Sequence, residues 1–433
     1  MLRAAFVFIL HLLIMKPVLA DSHLDRQAVT GKVLKGAVLV STKLRHGFVE
    51  DKKARGSWYG SGFVIDKQRG WIATNAHVAG AGVVENHVEF YNVQGRVKAS
   101  RVYLDSKYDF AILEVSPSEI PESAGELKLD CDQSPKPGQE VIAVGHPRNH
   151  EFSSTFGVIS GTKNFNAHGN MWITDLVVES GSSGSPVVDV DTLKVLGLST
   201  ANYRGSDLGL VTRSHDVCSI IDILKQGGDP SRPEISFDMA IENSHPSNIV
   251  ALVHDQSIGL MQGDKILEID GRLWTPDSNQ ELFDTLRRSQ TTVRLRVVRL
   301  GEQIDIEIPL VKQRSLHKRD WLYFSGLTLG IATQTDLGRR GRSGYRPIIV
   351  QSVDTDEVTQ RNFEWGRFTE IITVDGSSFD RLEDLVVHLE RAQEDHRDVK
   401  IQGRTWDLSS EVMMRVFEYQ LSVNDLKYSM PQI

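Results

Sequence analysis

The stretch Glu179-Ser180-Gly181-Ser182-Ser183-Gly184-Ser185-Pro186-Val187-Val188-Asp189 decides how this chain is read. Residues 181–186 are too small and too flexible for the interior of a helix or strand, and Val187 and Val188 follow at once, so the segment is a tight turn feeding a strand. A serine hydroxyl at such a turn stands clear of its neighbours. Glycine on either side lets backbone N–H groups approach a bound group without a Cβ in the way. Ser183 is therefore the candidate nucleophile.

A serine nucleophile needs a base, and the base needs an orienting carboxylate. Gly60-Ser61-Gly62-Phe63-Val64-Ile65-Asp66 and Gly70-Trp71-Ile72-Ala73-Thr74-Asn75-Ala76-His77-Val78 predict a hairpin around Asp66–Gly70, with His77 just past its second strand. Tyr108-Asp109-Phe110-Ala111-Ile112-Leu113 places Asp109 at the mouth of an apolar strand. The order His, Asp, Ser is one of the orders in which a serine triad occurs.

These residues carry a resemblance. Thr74-Asn75-Ala76-His77-Val78, Tyr108–Leu113 and Gly181–Pro186 are similar to the three catalytic motifs of the HtrA/Deg serine proteases. So are Val144-Gly145-His146-Pro147, Phe156–Ser160, Ile173-Thr174-Asp175 and Val195–Thr200 to that family's strands and loops. Ser182 and Ser185 stand where the family commonly has asparagine and glycine. The resemblance implies two six-stranded β-barrels of the trypsin type. His77 and Asp109 come from the first and Ser183 from the second, with an oxyanion site at the amides of Ser183 and Gly181. It also implies that Leu198, Ser199, Thr200 and Ala201 line the primary specificity pocket. No aspartate sits there, so a small or medium apolar side chain before the cut is expected. The loop between Leu44 and Ser57 reads as short, so a latch over the site would come from the loops near 148–154, 164–170 or 202–207.

The chain has 433 residues, with 49 basic and 57 acidic side chains, a net charge of −8. Arg3, the apolar run Ala4–Met15 and Val18-Leu19-Ala20 read as a cleaved secretory signal over residues 1–20. Residues 1–20 hold two basic side chains and no acid, so cleavage leaves −8 − 2 = −10. That mildly acidic balance argues against nucleic acid as a partner, and no later stretch is long and apolar enough for a membrane helix. Cys131 and Cys218 are the two cysteines, with no metal-ligand spacing, and the sequence leaves their pairing open.

Short β runs at close spacing, including Ala37–Val40, Phe110–Val115, Leu176–Val178 and Leu208–Val211, argue for an all-β architecture over residues 21–225. Ser214–Lys225 reads as an amphipathic helix and Gln226–Pro233 as a linker. Gly263-Asp264-Lys265-Ile266-Leu267-Glu268-Ile269-Asp270-Gly271 resembles the signature of PDZ domains, which implies a small α+β unit over 234–311. A weaker copy over 321–410 follows, with Asp270-Gly271 and Asp375-Gly376 offset by 105 residues and Gly366-Arg367-Phe368 standing where the first copy has Gly263-Asp264-Lys265. Residues 411–433 form a C-terminal extension. Ile235, Ser236 and Phe237 in the first copy, and Ser325, Gly326 and Leu327 in the second, occupy the place of a peptide-carboxylate loop.

Two functions fit. One is an ATP-independent serine endopeptidase of protein quality control and stress response, exported to a periplasm. It would be trimeric or larger, act on unfolded or misfolded proteins and peptides, and use no metal or cofactor. The other is a non-catalytic chaperone or peptide-binding scaffold on the same fold.

Overall fold

A computed structural model of the chain describes residues 26–51, 55–132, 134–166, 169–202, 207–231, 233–234, 237–242, 245–253, 255–274, 285–289, 291–312, 318–333, 346–354, 366–405 and 414–430. The signal segment lies outside the described residues.

Helix α1 (Arg26–Gly36) leads into β1 (Ala37–His46), β2 (Gly56–Asp66), β3 (Trp71–Thr74), β4 (Val83–Phe90), β5 (Val97–Asp105) and β6 (Phe110–Glu114), which close a barrel in the order β1-β2-β3-β6-β5-β4. The hairpin expected around Asp66–Gly70 is present, with Phe63 opposite Ala73 and Val64 opposite Ile72. A second closed barrel, in the order β10-β11-β12-β9-β8-β7, is built from β7 (Glu140–Gly145), β8 (Ser153–Asn166), β9 (Gly169–Thr174), β10 (Pro186–Asp189), β11 (Val195–Asn202) and β12 (Gly209–Arg213). Closure leaves neither sheet with a free edge. The strand expected at Leu176–Val178 is absent. The chain pairs as β9 two residues earlier, and Val178 is spent instead on lining the cleft between the barrels.

Helix α3 spans Ser214–Lys225, as its apolar spacing predicts, and buries Val217, Ile220 and Ile221. These pack in one core with Val29 and Val33 of α1, with Phe63 and Phe110 of the first barrel, and with Ile142 and Val188 of the second. Burying such side chains stabilises by about 1.5 to 3 kcal/mol each, so the two helices hold the barrels in a fixed relation. Cys218 of α3 is disulfide-bonded to Cys131 in the segment between the barrels, the pairing the sequence left open.

Two further antiparallel sheets follow. The first orders the strands Phe237–Glu242, His245–Val253, Lys265–Ile269, Thr292–Arg299 and Glu302–Pro309. The second orders Arg415–Ser422, Asp398–Thr405, Glu370–Val374, Ile348–Val353, Leu327–Ile331, Trp321–Phe324 and Lys427–Ser429, with the helix Leu382–Glu394 burying Leu382, Leu385, Val386 and Leu389 against it.

The 105-residue repeat is present in the hydrogen bonding, but its register corrects the one read from sequence. Gly263 N donates to Val250 O in the first sheet, and Phe368 N to Val350 O in the second; Ile249 faces Lys265 as Ile349 faces Glu370. Phe368-Thr369-Glu370, not Gly366-Arg367-Phe368, therefore matches Gly263-Asp264-Lys265. The ion pair that Asp264 makes with Arg299 passes to Glu370 and Arg404. The glycine-first alignment failed because Phe368 itself takes the left-handed backbone that Gly263 has, at φ 68° against 91°.

Candidate active site in the cleft between the barrels

His77 lies on the one-turn helix α2 (Ala76–Ala79) that follows β3. Thr42 Oγ1 and Trp58 Nε1 both donate to Val78 O, at 2.7 and 2.9 Å, which fixes this turn against the barrel wall. Asp109 sits where β5 turns into β6, at 4 % exposure and φ 50°, a left-handed backbone that aspartate tolerates better than most residues. Its carboxylate takes two bonds from one residue: His77 N at 2.9 Å and His77 Nδ1 at 2.7 Å. Asn75 Nδ2 holds the Asp109 carbonyl at 2.8 Å.

Ser183 arrives from the other barrel. Gly184 N donates to Ser199 O at 2.7 Å and Ser199 N to Ser185 O at 2.9 Å, so the turn is stitched onto β11. Ser61 ties it to the first barrel, its amide donating to Ser183 O and its hydroxyl to Gly181 O, both at 2.7 Å. The Ser183 hydroxyl donates to Thr200 O at 3.1 Å rather than to His77.

Gly181 has φ 97°, and a Cβ there would meet His146 O at 2.2 Å, so no other residue fits. Among the described residues the amides of Gly181 and Ser183 donate to no protein acceptor, whereas that of Ser182 between them donates to Glu179 O. Ser185, the larger residue in a place where the resemblance has glycine, is accommodated from outside the loop. A Cβ on Gly145 would meet its hydroxyl at 2.0 Å, so the missing side chain on β7 makes the room.

His146 is fully buried behind this loop, and Phe152 N donates to its Nδ1 at 3.1 Å. Burial pushes its pKa down to about 4, which leaves the ring neutral at physiological pH and keeps a positive charge away from the loop.

His77, Asp109, Gly181, Ser183, Thr200 and Ala201 line one cleft of about 600 Å³. Of the four residues expected in the specificity pocket, Thr200 and Ala201 reach it. Leu198 and Ser199 do not, because β11 turns Leu198 into the shared core and Ser199 serves through its backbone. Sequence reading missed Trp58, Tyr59 and Val178 in the lining, and also Glu50 and Asp51 of the loop after β1. That loop is built in rather than idle, since Asp51 accepts from the amides of Phe48, Ala81 and Gly82 at 2.8 to 2.9 Å. An acid three residues beyond Phe48 is the one signal that could have flagged it.

The expected peptide-carboxylate residues fare differently. Ile235 and Ser236 lie outside the described residues, and Phe237 is packed in the core of the first sheet. Ser325 and Gly326 are the two central residues of a hairpin joining Trp321–Phe324 to Leu327–Ile331, both with positive φ, and Leu327 is fully buried. The strand edge that a peptide would need there is already paired.

Residues 60–198 match the family model for the trypsin-like peptidase domain. A probable periplasmic DegP-like serine endoprotease of Marinomonas sp. is 27 % identical over 58 % of this chain and 56 % of its own length. The Do-like serine protease HtrB of Bacillus subtilis is 27 % identical over 58 % of this chain and 61 % of its own. The chain thus spans less than two thirds of either relative. Among solved structures, the serine endoprotease of Yersinia pestis superposes with a TM-score of 0.51 at 22 % identity, over 66 % of this chain and 98 % of that one. The HtrA-type protease AlgW with a tripeptide does so with a TM-score of 0.54 at 18 % identity, over 66 % and 97 %. The chain thus matches the trypsin-like peptidase domain over residues 60–198, is similar in sequence to HtrA/Deg serine proteases over little more than half its length, and shares their paired-barrel fold.

Proposed function

We propose that the protein is a serine endopeptidase in which Ser183 attacks the peptide carbonyl, His77 takes and returns the proton, and Asp109 orients the imidazole. The observation that carries this is the His77–Asp109 pair facing Ser183 across one cleft, with two uncommitted amides beside the serine. With Nδ1 committed to Asp109, Nε2 is the nitrogen left to receive the serine proton. The amides of Gly181 and Ser183 would stabilise the oxyanion, each donor being worth about 3 to 4 kcal/mol in comparable sites. Val178 and Ala201 in the lining suit a small or medium apolar side chain before the scissile bond.

The substrates are unfolded or misfolded exported proteins, cut without ATP, and the two C-terminal sheets are PDZ-like units that engage peptides or govern assembly into a trimer or larger oligomer. The periplasmic name of the DegP-like relatives and the signal-like residues 1–20 support an exported protein. Among the described residues no helix is long and apolar enough to cross a membrane.

Cleavage of unfolded β-casein by the mature protein, beside Ser183→Ala and with a binding assay on both, tests this reading. The wild type is expected to cut, and the variant to bind without cutting, losing at least about 10³-fold in rate. Binding without cleavage by both proteins, over temperature and added C-terminal peptides, would return the non-catalytic scaffold.

A further inference from the structure

Among the described residues Arg287 is the largest wholly buried side chain, yet it lies far from Ser183 in sequence and outside the peptidase barrels. It belongs to the first C-terminal unit, and its partners belong to the first barrel and the linker. Nη1 donates to the Tyr103 hydroxyl and to Pro230 O, each at 2.6 Å; Nη2 is bonded to Asp105 Oδ2; and the group lies 5.1 Å from the centre of the Tyr108 ring. Burial alone would make the guanidinium easier to deprotonate. Tyr103 and Asp105 outweigh that, so the group stays charged in its socket.

Asp105 is the hinge of this arrangement. Its second oxygen, Oδ1, accepts from the amides of Lys107 and Tyr108 at 2.9 and 3.0 Å, closing the turn whose next residue is Asp109. Thr212 Oγ1 donates to the Tyr108 carbonyl at 3.1 Å and Asn75 to the Asp109 carbonyl, so the turn is held from the second barrel and from α2 as well. Asp109 keeps a left-handed φ of 50° that the turn must impose. One oxygen of Asp105 thus orders the turn while the other is bound by an arginine from a separate unit.

We propose that Arg287 is a positioning residue for the catalytic carboxylate, so that seating of the first C-terminal unit on the β5–β6 turn sets the placement of Asp109 and hence of His77. This rests on His77, Asp109 and Ser183 acting as set out above. A buried carboxylate that loses the guanidinium beside it is left with its charge poorly compensated, and the turn it closes relaxes to rehydrate it. A displacement of the order of 1 Å at Asp109 is enough to slow chemistry by one to two orders of magnitude. The effect falls chiefly on the chemical step, because Arg287, Tyr103, Asp105 and Tyr108 do not line the cleft, which the turn reaches through Leu104, Ser106 and Asp109.

The test is the rate at which a small fluorophosphonate acylates Ser183 in the full-length mature protein, since that probe needs no capture by a C-terminal unit. It is read beside kcat and KM on a short chromogenic peptide, for wild type, Arg287→Gln and Arg287→Lys. Arg287→Gln is expected to react about tenfold or more slowly, with kcat reduced and KM within twofold, while Arg287→Lys recovers part of the rate. The downfield proton resonance of His77 Nδ1–H is expected to weaken in Arg287→Gln. Equal acylation and kcat in wild type and Arg287→Gln, with unfolding still cooperative, overturns the proposal. Should Arg287→Gln fail to fold, Arg287→Lys decides on the same measurements: a slowed rate supports the proposal and a rate equal to wild type refutes it. A wild type that does not react at all refutes the serine nucleophile instead.

Discussion

The two C-terminal sheets are built on one plan and attached in opposite ways. In the first, the strand Phe237–Glu242 pairs with His245–Val253 on one side and with no strand among the described residues on the other. In the second, the equivalent strand Leu327–Ile331 is covered by Trp321–Phe324 through a two-residue turn, and Lys427–Ser429 pairs onto that. The first reaches the peptidase barrels through one buried guanidinium at the turn before Asp109. The second spreads over the loop after β1. There Ser352 Oγ donates to Gly47 O at 2.6 Å, Arg367 Nη1 donates to Val49 O at 3.2 Å and Arg319 pairs with Glu50 at 2.9 Å. Among the described residues, then, two copies of one plan differ in a single edge, unpaired in the first and closed in the second.

The most direct effect expected from this difference is in backbone protection. A peptide with an apolar C-terminus should slow hydrogen exchange of the amides in 237–242 by about tenfold or more, because strand addition pairs every second one. Amides of 327–331 should not respond. Protection appearing in the second strand instead would reverse the assignment of open and closed edges.

The next effect concerns pH. His46 is buried between Trp321 and Tyr323, with ring centroids 5.4 and 4.1 Å away. Burial and the nearby Lys427 and Arg55 push its pKa down to about 4, and Asp425 and Asp354 oppose them only partly. The docked state therefore disfavours the proton. Docking of the second unit is at full strength above the free histidine value of about 6.5, weakens as pH falls below it, and levels off below about 4. At pH 5 the docking constant should be lower by about thirtyfold, read as faster exchange in residues 46–51. The variant His46→Gln should abolish that dependence; an unchanged pH profile in it would show that another group is responsible.

The smallest effect is at the turn that closes the second edge. Ser325 has φ 50° ahead of Gly326 at φ 85°, and asparagine is the better residue for the first position of such a turn. Ser325→Asn should stabilise the second unit by about 0.3 to 0.5 kcal/mol, measured by urea unfolding. Destabilisation would mean that the bond from the Ser325 hydroxyl to Ser422 O matters more than the backbone preference.

Much of the site was legible because its chemistry is local. Asp66–Gly70, Tyr108-Asp109 and Gly181–Pro186 each announce a turn beside an apolar run, and turns are where the fold exposes functional side chains. What stayed hidden depends on pairings between distant segments. Nothing in the sequence around Arg287-Arg288 tells that one of the two enters a socket made by residues 103–108. Phe368 conceals the repeat register because a left-handed phenylalanine does the work of a glycine. The closed edge at Leu327 stayed hidden because Ser325-Gly326-Leu327 resembles a peptide-carboxylate loop, whereas Ser325 and Gly326 turn the hairpin that closes that edge.

The central claim is that Ser183 is a nucleophile activated by His77. Mass spectrometry of the mature protein after reaction with a fluorophosphonate tests it most directly, beside His77→Ala. The account predicts a single adduct, on the peptide that contains Ser183, and its loss in the variant. An adduct on another residue, or equal labelling of Ser183 without His77, would contradict it.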